Sequence, residues 1–298
     1  MHDNTKAIIT SASNKFFPNL LNFIGSIKAN YPNHPPIYVY DLGLFTSFKK
    51  EISSIPGVQI LETPRFCNHW RSCYTWKTYI LNTPLADLNL YLDAGCQVLK
   101  SLDVLFEKIN TQGYLAVSQG TEVKIKDITP ADFIEHFELN ETQLAGEVIA
   151  AGIFGFRKNS HIKDITQKLY VCGVLGLSLG FSKRELWKNK GINKTTLIRD
   201  CRMFRHDTTL LTIILHKELQ DLVIEPIFKF SGQFENSPEQ FIYSVRLNYK
   251  KLEYTDIKLI HGTQRFGYTT LNRLFLNIFL ILKSINRTIK SSLRKLTK

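Results

Sequence analysis

Leu90-Tyr91-Leu92-Asp93-Ala94-Gly95-Cys96 is the stretch that decides the fold. The apolar run from Leu88 to Leu92 is continuous, as an internal strand of a parallel sheet is when both of its faces are covered. It delivers an acidic residue into a loop of small residues. Upstream, Ala7-Ile8-Ile9-Thr10-Ser11 reads as a buried strand. Phe17 to Asn30 carries apolar residues at helical spacing, and Ile37-Tyr38-Val39-Tyr40 is a second strand ending at Asp41-Leu42-Gly43. A short helix near residues 45–53 leads to a third strand, Gly57 to Leu61. Strand and helix alternate in the rhythm of a doubly wound, mostly parallel α/β sheet.

Downstream, Thr75 to Leu81 ends a helix that Pro84 stops, and Val104 to Ile109 is helical. Leu115-Ala116-Val117 and the Ala/Gly/Ile-rich run Glu147 to Phe156 read as strands. Residues His161 to Leu179 and Asp207 to Leu219 read as helices, with Asp207 or His206 near the second one's cap. Leu222 to Ile227 and Lys258-Leu259-Ile260 complete the strands. No repeat or low-complexity linker divides the chain, so one catalytic domain over residues 1–270 is expected, followed by a separate segment, 271–298.

Composition bounds the function. Apolar residues make up 44% and charged residues 21%, ordinary values for a chain with a sizeable core. The net charge of +12 suggests nucleic acid until it is located. The last acidic residue is Asp256, and nine basic residues follow it: Lys258, Arg265, Arg273, Lys283, Arg287, Lys290, Arg294, Lys295 and Lys298. They leave only +3 for residues 1–256. No nucleic-acid partner is expected of a body so nearly neutral. Cys67, Cys73, Cys96, Cys172 and Cys201 are odd in number and lack CxxC spacing, which points to reduced thiols and a cytoplasmic setting rather than zinc or disulfides. Cys96 reads as a small buried residue, not a nucleophile. The N-terminal residues show no signal-peptide core, and no apolar run reaches the ~18 residues that a spanning helix needs.

In an open α/β sheet, ligands bind beyond the carboxyl ends of the strands. Thr10 and Ser11, Asp41 and Asp93 fall at such ends. Asp93 can offer a carboxylate to a hard divalent cation, Mn²⁺ or Mg²⁺, whose other ligands a diphosphate supplies. Asp-Ala-Gly also makes an ordinary turn after a strand. The meaning of Asp93 therefore depends on what else converges on it. His261, at the end of Lys258-Leu259-Ile260, opens a His-Gly-x-x-Arg loop in which an imidazole can complete a metal site and Arg265 can neutralise phosphate. Arg65, His69, Trp70 and Arg71 form a basic and aromatic cluster that either touches donor or acceptor or is simply exposed.

With these residues in view, the chain resembles a glycosyltransferase of the GT-A fold, which implies a Rossmann-type mixed, mostly parallel sheet flanked by helices, and is most similar to family 8 and a related uncharacterised group. In that family a strand ends in Tyr-Leu-Asp-x-Asp. Here Tyr91-Leu92-Asp93-Ala94 matches, and Gly95 stands at the second acidic position. The family's late Ile-His-x-x-Gly-x-Lys-Pro-Trp motif resembles Ile260-His261-Gly262-Thr263-Gln264-Arg265-Phe266-Gly267-Tyr268. Trp76-Lys77 lies where such enzymes place a basic residue over the donor. Ala151-Gly152-Ile153 resembles the segment lining the donor-sugar pocket, with Ala150 in place of Asn. Arg205-His206-Asp207-Thr208-Thr209-Leu210 resembles the helix start beside the reacting sugar, with Thr208 in place of Gln.

The resemblance implies transfer from a nucleotide-diphosphate sugar to a saccharide or lipid-linked acceptor, in surface polysaccharide or glycan synthesis. It implies a metal on Asp93 and His261, and a donor site of Thr10, Ser11, Asp41, Trp76, Lys77, Asp93, Ala94, Gly95, Gly152, Arg205, His206 and Arg265. Lys77 and Asp207 would act in catalysis. Lys77 or Arg265 would stabilise the leaving phosphate, and Asp207 would serve as a base or hold the donor sugar. As a plain structural residue, Asp207 would cap its helix. Gly95 leaves one competing class, an inactive scaffold of the same fold.

Residues 271–298 give the cleanest periodicity. Leu271, Leu274, Phe275, Ile278, Ile281, Leu282, Ile285, Ile289, Leu293 and Leu296 fall on one helical face, and the basic residues on the other. Such a helix reads as an interfacial anchor on an anionic membrane surface, placing the protein peripherally at the inner face. The alternative is a terminal helix docked on the catalytic domain with a solvated basic face.

Overall fold

The structure is a computed structural model that describes residues 5–180, 201–230, 239–244 and 270–296. Its centre is a 7-stranded sheet in the order β3-β2-β1-β4-β7-β6-β8. The strands are β1 (Lys6–Ala12), β2 (Ile37–Asp41), β3 (Val58–Glu62), β4 (Leu88–Leu92), β6 (Tyr114–Ser118), β7 (Ile149–Arg157) and β8 (Ile224–Glu225). β1, β2, β3 and β4 run parallel, and β6 runs parallel to β8. β7 runs antiparallel to both of its neighbours, β4 and β6. The expected class is therefore found, a mixed, mostly parallel sheet flanked by helices.

The first four strands and the three helices among them follow the sequence pattern. α1 (Phe17–Asn30) is buried from Phe17 to Ile27, even at Asn19, Asn22 and Ser26, because the sheet covers one side and the short strand β5 (Cys96–Val98) another. Ser26 Oγ accepts from Val98 N at 2.9 Å, and Asn30 Nδ2 donates to Val98 O at 2.9 Å, which fixes β5 against the helix. α2 (Thr46–Ser53) returns Phe48 to stack on Phe17. Each buried Phe is worth about 1.5–3 kcal/mol. This packing, more than any polar contact, sets where the strand ends lie.

Apolar side chains alternate across the sheet into two clusters. Ile8, Val39, Leu90 and Leu92 face one side with α1 and α4 (Asp103–Gln112). Ile9, Tyr91, Phe154 and Phe156 face the other side with α8 (Ser160–Leu175) and α9 (Asp207–Glu218). Between β6 and β7 lie three short helices, α5 (Ile125–Ile128), α6 (Ala131–His136) and α7 (Glu141–Leu144). α3 (Trp76–Leu81) packs on α8.

Several expectations are corrected. The strand expected over Leu222 to Ile227 is only the two residues of β8, because Pro226 opens a 3-10 turn at Ile227–Lys229. The helix expected to run to Leu179 ends at Leu175, where Gly176 adopts φ 89° and a separate turn, Leu177–Leu179, follows. Cys96 does not end a loop; it begins β5, which pairs antiparallel with β9 (Ile242–Ser244). Lys258 to Ile260 lie outside the described residues.

Candidate functional site

β4 ends at Leu92, yet Asp93 remains tied to the neighbouring strand, because its N–H donates to Gly152 O at 2.8 Å. Cys96 N donates to Asp93 O at 2.8 Å and closes the turn Asp93-Ala94-Gly95-Cys96. A Cβ on Gly152 would stand 2.9 Å from Asp93 Oδ2, so a glycine there is what lets the carboxylate lie against β7. The Asp93 side chain remains 43% exposed at the carboxyl end of the sheet.

Lys77 meets it from below. Although almost wholly buried in the first turn of α3, its ammonium donates to Asp93 Oδ2 at 3.3 Å and Ala151 O at 3.2 Å, and it pairs with Asp207 Oδ2 at 2.7 Å and Asp93 Oδ1 at 3.0 Å. Burial opposes the charge on Lys77, but Asp207 and Asp93 outweigh it and hold the lysine well above its ordinary pKa. Asp207 is the first residue of α9 and is buried. Burial raises its carboxyl above the ordinary value, while Lys77 draws it back. With Lys77 charged, the group is an Asp–Lys–Asp cluster whose one exposed edge is Asp93.

A chain of hydroxyls orients that edge. Tyr91 Oη donates to Asp93 Oδ1 at 2.9 Å, so Ser11 Oγ, 3.0 Å from Tyr91 Oη, donates to the tyrosine. Trp76 Nε1 in turn donates to Ser11 Oγ at 3.2 Å. Above Lys77, Tyr74 is 40% exposed, with its ring 5.3 Å from Trp76 and 6.2 Å from His206. Cys73, Tyr74 and His206 have φ of 51°, 60° and 53°, three of the four left-handed non-glycine residues among those described. Backbone strain of this kind, about 1–3 kcal/mol per residue, concentrates at functional sites. His206 precedes α9 and donates from Nδ1 to Ser178 O at 2.9 Å. Burial opposes its charge, but Cys73 and the Ser178 carbonyl raise its pKa above the ordinary value.

Ser11, Trp76, Lys77, Asp93, Gly152, His206 and Asp207 are thus brought together, with Ala94 buried and Gly95 half-buried in the Asp93 turn. Arg205 adjoins through its backbone, its N–H donating to Thr209 Oγ1 at 3.1 Å. Thr10 does not join: it is fully buried on the opposite face of β1 from Ser11, because strand side chains alternate, and its hydroxyl has no partner among the described residues. Asp41 serves its own turn. Its Oδ1 accepts from Gly43 N and Leu44 N at 2.6 Å each, and its Oδ2 pairs with Lys49 at 2.6 Å. His69, from the basic and aromatic cluster, is buried with Nε2 on Gly173 O, so it holds α8 rather than a ligand. Sequence reasoning did not select Tyr91, Tyr74 or the Ala151 carbonyl. A tyrosine within an otherwise apolar strand was the available signal for Tyr91, since a buried hydroxyl needs a partner.

The metal expected on Asp93 and His261 does not follow from this geometry. His261 and Arg265 lie outside the described residues, and Gly95 brings no ligand. Among the described residues, no three His, Cys, Asp or Glu side chains gather to hold an ion. The single exposed carboxylate already faces an ammonium at 3.0 Å. These residues alone do not fit a divalent ion.

Fold and site together define an α/β protein with a carboxylate–ammonium cluster where the sheet's strands end. No protein-family model and no curated protein matches the chain. Solved structures do. A galactosyltransferase, LgtC, in complex with donor and acceptor sugar analogues aligns over 70% of this chain and 70% of its own, with 13% identity and a TM-score of 0.44. The glycosyltransferase GlyE of Streptococcus pneumoniae aligns over 94% of this chain and 64% of its own, with 12% identity and a TM-score of 0.49. The bifunctional WbbM aligns over 77% of this chain and 40% of its own, with 14% identity and a TM-score of 0.46. The chain therefore spans less than two thirds of GlyE and of WbbM. At this level the likeness assigns no role to any residue here.

Proposed function

We propose that this chain is a glycosyltransferase of the GT-A type, with residues 1–270 as the catalytic unit, moving a sugar from a nucleotide-diphosphate donor to a saccharide or lipid-linked acceptor. The observation that carries this reading is the Lys77 ammonium shared by Asp93 and Asp207 at the carboxyl end of the sheet. A polyhydroxylated ring needs hydrogen-bonding groups fixed in one place, and this cluster fixes a carboxylate acceptor there. The Asp93 carboxylate accepts sugar hydroxyls at its exposed edge. The buried pair behind it is held by the Lys77 ion pairs and the Ala151 carbonyl. Two carboxylates against one ammonium also favour positive charge developing at an anomeric carbon as its bond to phosphate breaks. On this reading Asp207, buried behind Asp93 at the N-terminus of α9, holds the lysine that faces Asp93, and the motif resemblance suggests a further role toward the sugar or the acceptor proton. Tyr74 and Trp76 supply the aromatic surface above it. The resemblance of the sequence motifs supports the same reading, and the basic amphipathic segment 271–298 supports an anionic membrane surface as the place of work.

The test is a thermal-shift screen of nucleoside diphosphates and their sugars, with and without Mn²⁺ or Mg²⁺, followed by donor hydrolysis with Asp93→Ala, Lys77→Met and His261→Ala. Stabilisation by one nucleotide, with turnover lost in Asp93→Ala and Lys77→Met, is expected. The His261→Ala result tests the metal expectation directly. Nucleotide binding without turnover in the parent chain would favour the inactive scaffold, which the glycine at position 95 makes the second reading.

A further inference from the structure

α10 (Thr270–Leu296) is one continuous helix, about 40 Å long at 1.5 Å per residue. The Phe279 ring lies 5.7 Å from Phe45 and the Phe275 ring 6.1 Å from it, and Phe279 and Leu280 pack on the core cluster below. Its main apolar stripe is elsewhere. Leu274, Phe275, Ile278, Ile281, Leu282, Ile285 and Ile289 are all exposed, by 43–61%. At 100° per residue these seven fall within an arc of about 120°, while Phe279 and Leu280 lie outside it. A terminal helix that merely docked would turn its apolar stripe inward. This one docks by its flank and turns the stripe out.

The contact also has a definite place. Phe45 follows the turn at the carboxyl end of β2, and its N–H donates to Asn14 Oδ1 in the turn after β1. Asp93 leaves β4 at the same end, since β1, β2 and β4 are parallel. On that same turn after β1, Phe16 is exposed, with Lys15 over its ring. We propose that α10 is an in-plane anchor that seats its outward stripe in an anionic bilayer and holds the carboxyl end of the sheet, with Asp93, against the membrane. An anionic surface is favoured over a second copy of the chain by charge. No acidic residue follows Asp256, so the segment carries only positive charge, which anionic headgroups attract and which a second copy of the same segment would repel. No helix among the described residues is long and apolar enough to cross a membrane. On the glycosyltransferase reading, which this last step rests on, the acceptor is then met on a lipid carrier at the bilayer surface.

The experiment uses the full chain and reads no activity, so a failure of the glycosyltransferase reading does not register in it. Flotation with phosphatidylcholine vesicles, with and without phosphatidylglycerol, is expected to show about tenfold tighter binding to the anionic set, weakened by salt. Ile281→Glu with Ile285→Glu, both on the exposed stripe, should abolish binding without changing the unfolding midpoint. Equal binding to neutral vesicles, or full binding by the double variant, would overturn the anchor. So would a dimer in light scattering that the double variant dissolves and that shows no vesicle binding. Hydrogen exchange reads the orientation. Vesicles should protect α10 and residues 13–17, and leave residues 84–87, which enter β4 at the opposite end, unchanged. Protection of α10 without residues 13–17, or of residues 84–87, would overturn the orientation.

Discussion

Lys77 Nζ stands 2.7 Å from Asp207 Oδ2 in the buried floor of the site, joining the first turn of α3 to the first residue of α9. The two residues are far apart in the chain, and Asp93 faces the same ammonium at 3.0 Å. Removing one partner strands a buried charge, which costs about 3–5 kcal/mol, whereas removing both costs far less. Lys77→Met is therefore expected to lower the unfolding free energy by about that amount in urea titration, and Lys77→Met with Asp207→Leu should recover much of it. Neither variant should give a nucleotide-sugar-dependent thermal shift.

Gly152 and Gly155 lie three residues apart on β7 and separate function from stability. A Cβ at Gly152 meets only the end of the Asp93 side chain, at 2.9 Å. Gly152→Ala should displace that carboxylate and cut turnover at least about tenfold, with stability nearly unchanged. A Cβ at Gly155 meets Ile109 at 2.4 Å and Leu115 Cβ at 2.8 Å, inside the core. Gly155→Ala should cost about 1–3 kcal/mol of stability through overpacking. Paired kinetics and denaturation on the two variants check both outcomes.

Tyr91→Phe removes the hydroxyl between Ser11 and Asp93. Asp93 is exposed enough for water to take the vacated position, and Ser11 keeps Trp76, so the loss of stability should be under about 1 kcal/mol. The carboxylate loses its fixed orientation, and turnover should fall far more than stability does. A turnover unchanged in Tyr91→Phe would show that the hydroxyl chain does not position Asp93.

Acid stability is expected to depend on Asp103. The Tyr31 hydroxyl first, then Lys6, lowers its pKa from 3.8 to about 2. A carboxyl depressed in the folded state contributes stability that is complete above its unfolded pKa and is lost as pH falls through the folded one. The parent chain should lose this contribution between about pH 4 and pH 2, and Asp103→Asn should flatten the slope there in denaturant titrations at stepped pH. Lys77, raised in the folded state, contributes fully below 10.5 and loses its share only as pH rises through its higher folded value. The titration of Lys77 itself is therefore expected to leave the neutral range flat.

The sequence by itself determined the first four strands and the helices between them. Buried parallel strands write continuous apolar runs, and helices write a 3.6-residue period; both signals are local. It also determined that Asp93, Lys77 and Asp207 deserved comparison, and that the last segment is a basic amphipathic helix. The direction of β7 was not legible. An Ala/Gly/Ile run covered on both faces looks the same whichever way it is threaded, and only its pairing with β4 and β6 sets its sense. The three-residue ladder of β5 with β9 is too short and too distant in sequence to leave a pattern. Thr10 and Asp41 sat at strand ends as plausibly as Ser11 did. The pleat turned Thr10 away from the site, and the amides of Gly43 and Leu44 claimed Asp41. For α10, periodicity established two faces, but which one meets the protein was decided by the ring of Phe45. Asp93 alone was a turn residue. Its carboxylate became the edge of a site because packing placed the Lys77 ammonium, the Tyr91 hydroxyl and the Gly152 backbone around it, and those contacts arise only when distant segments fold together.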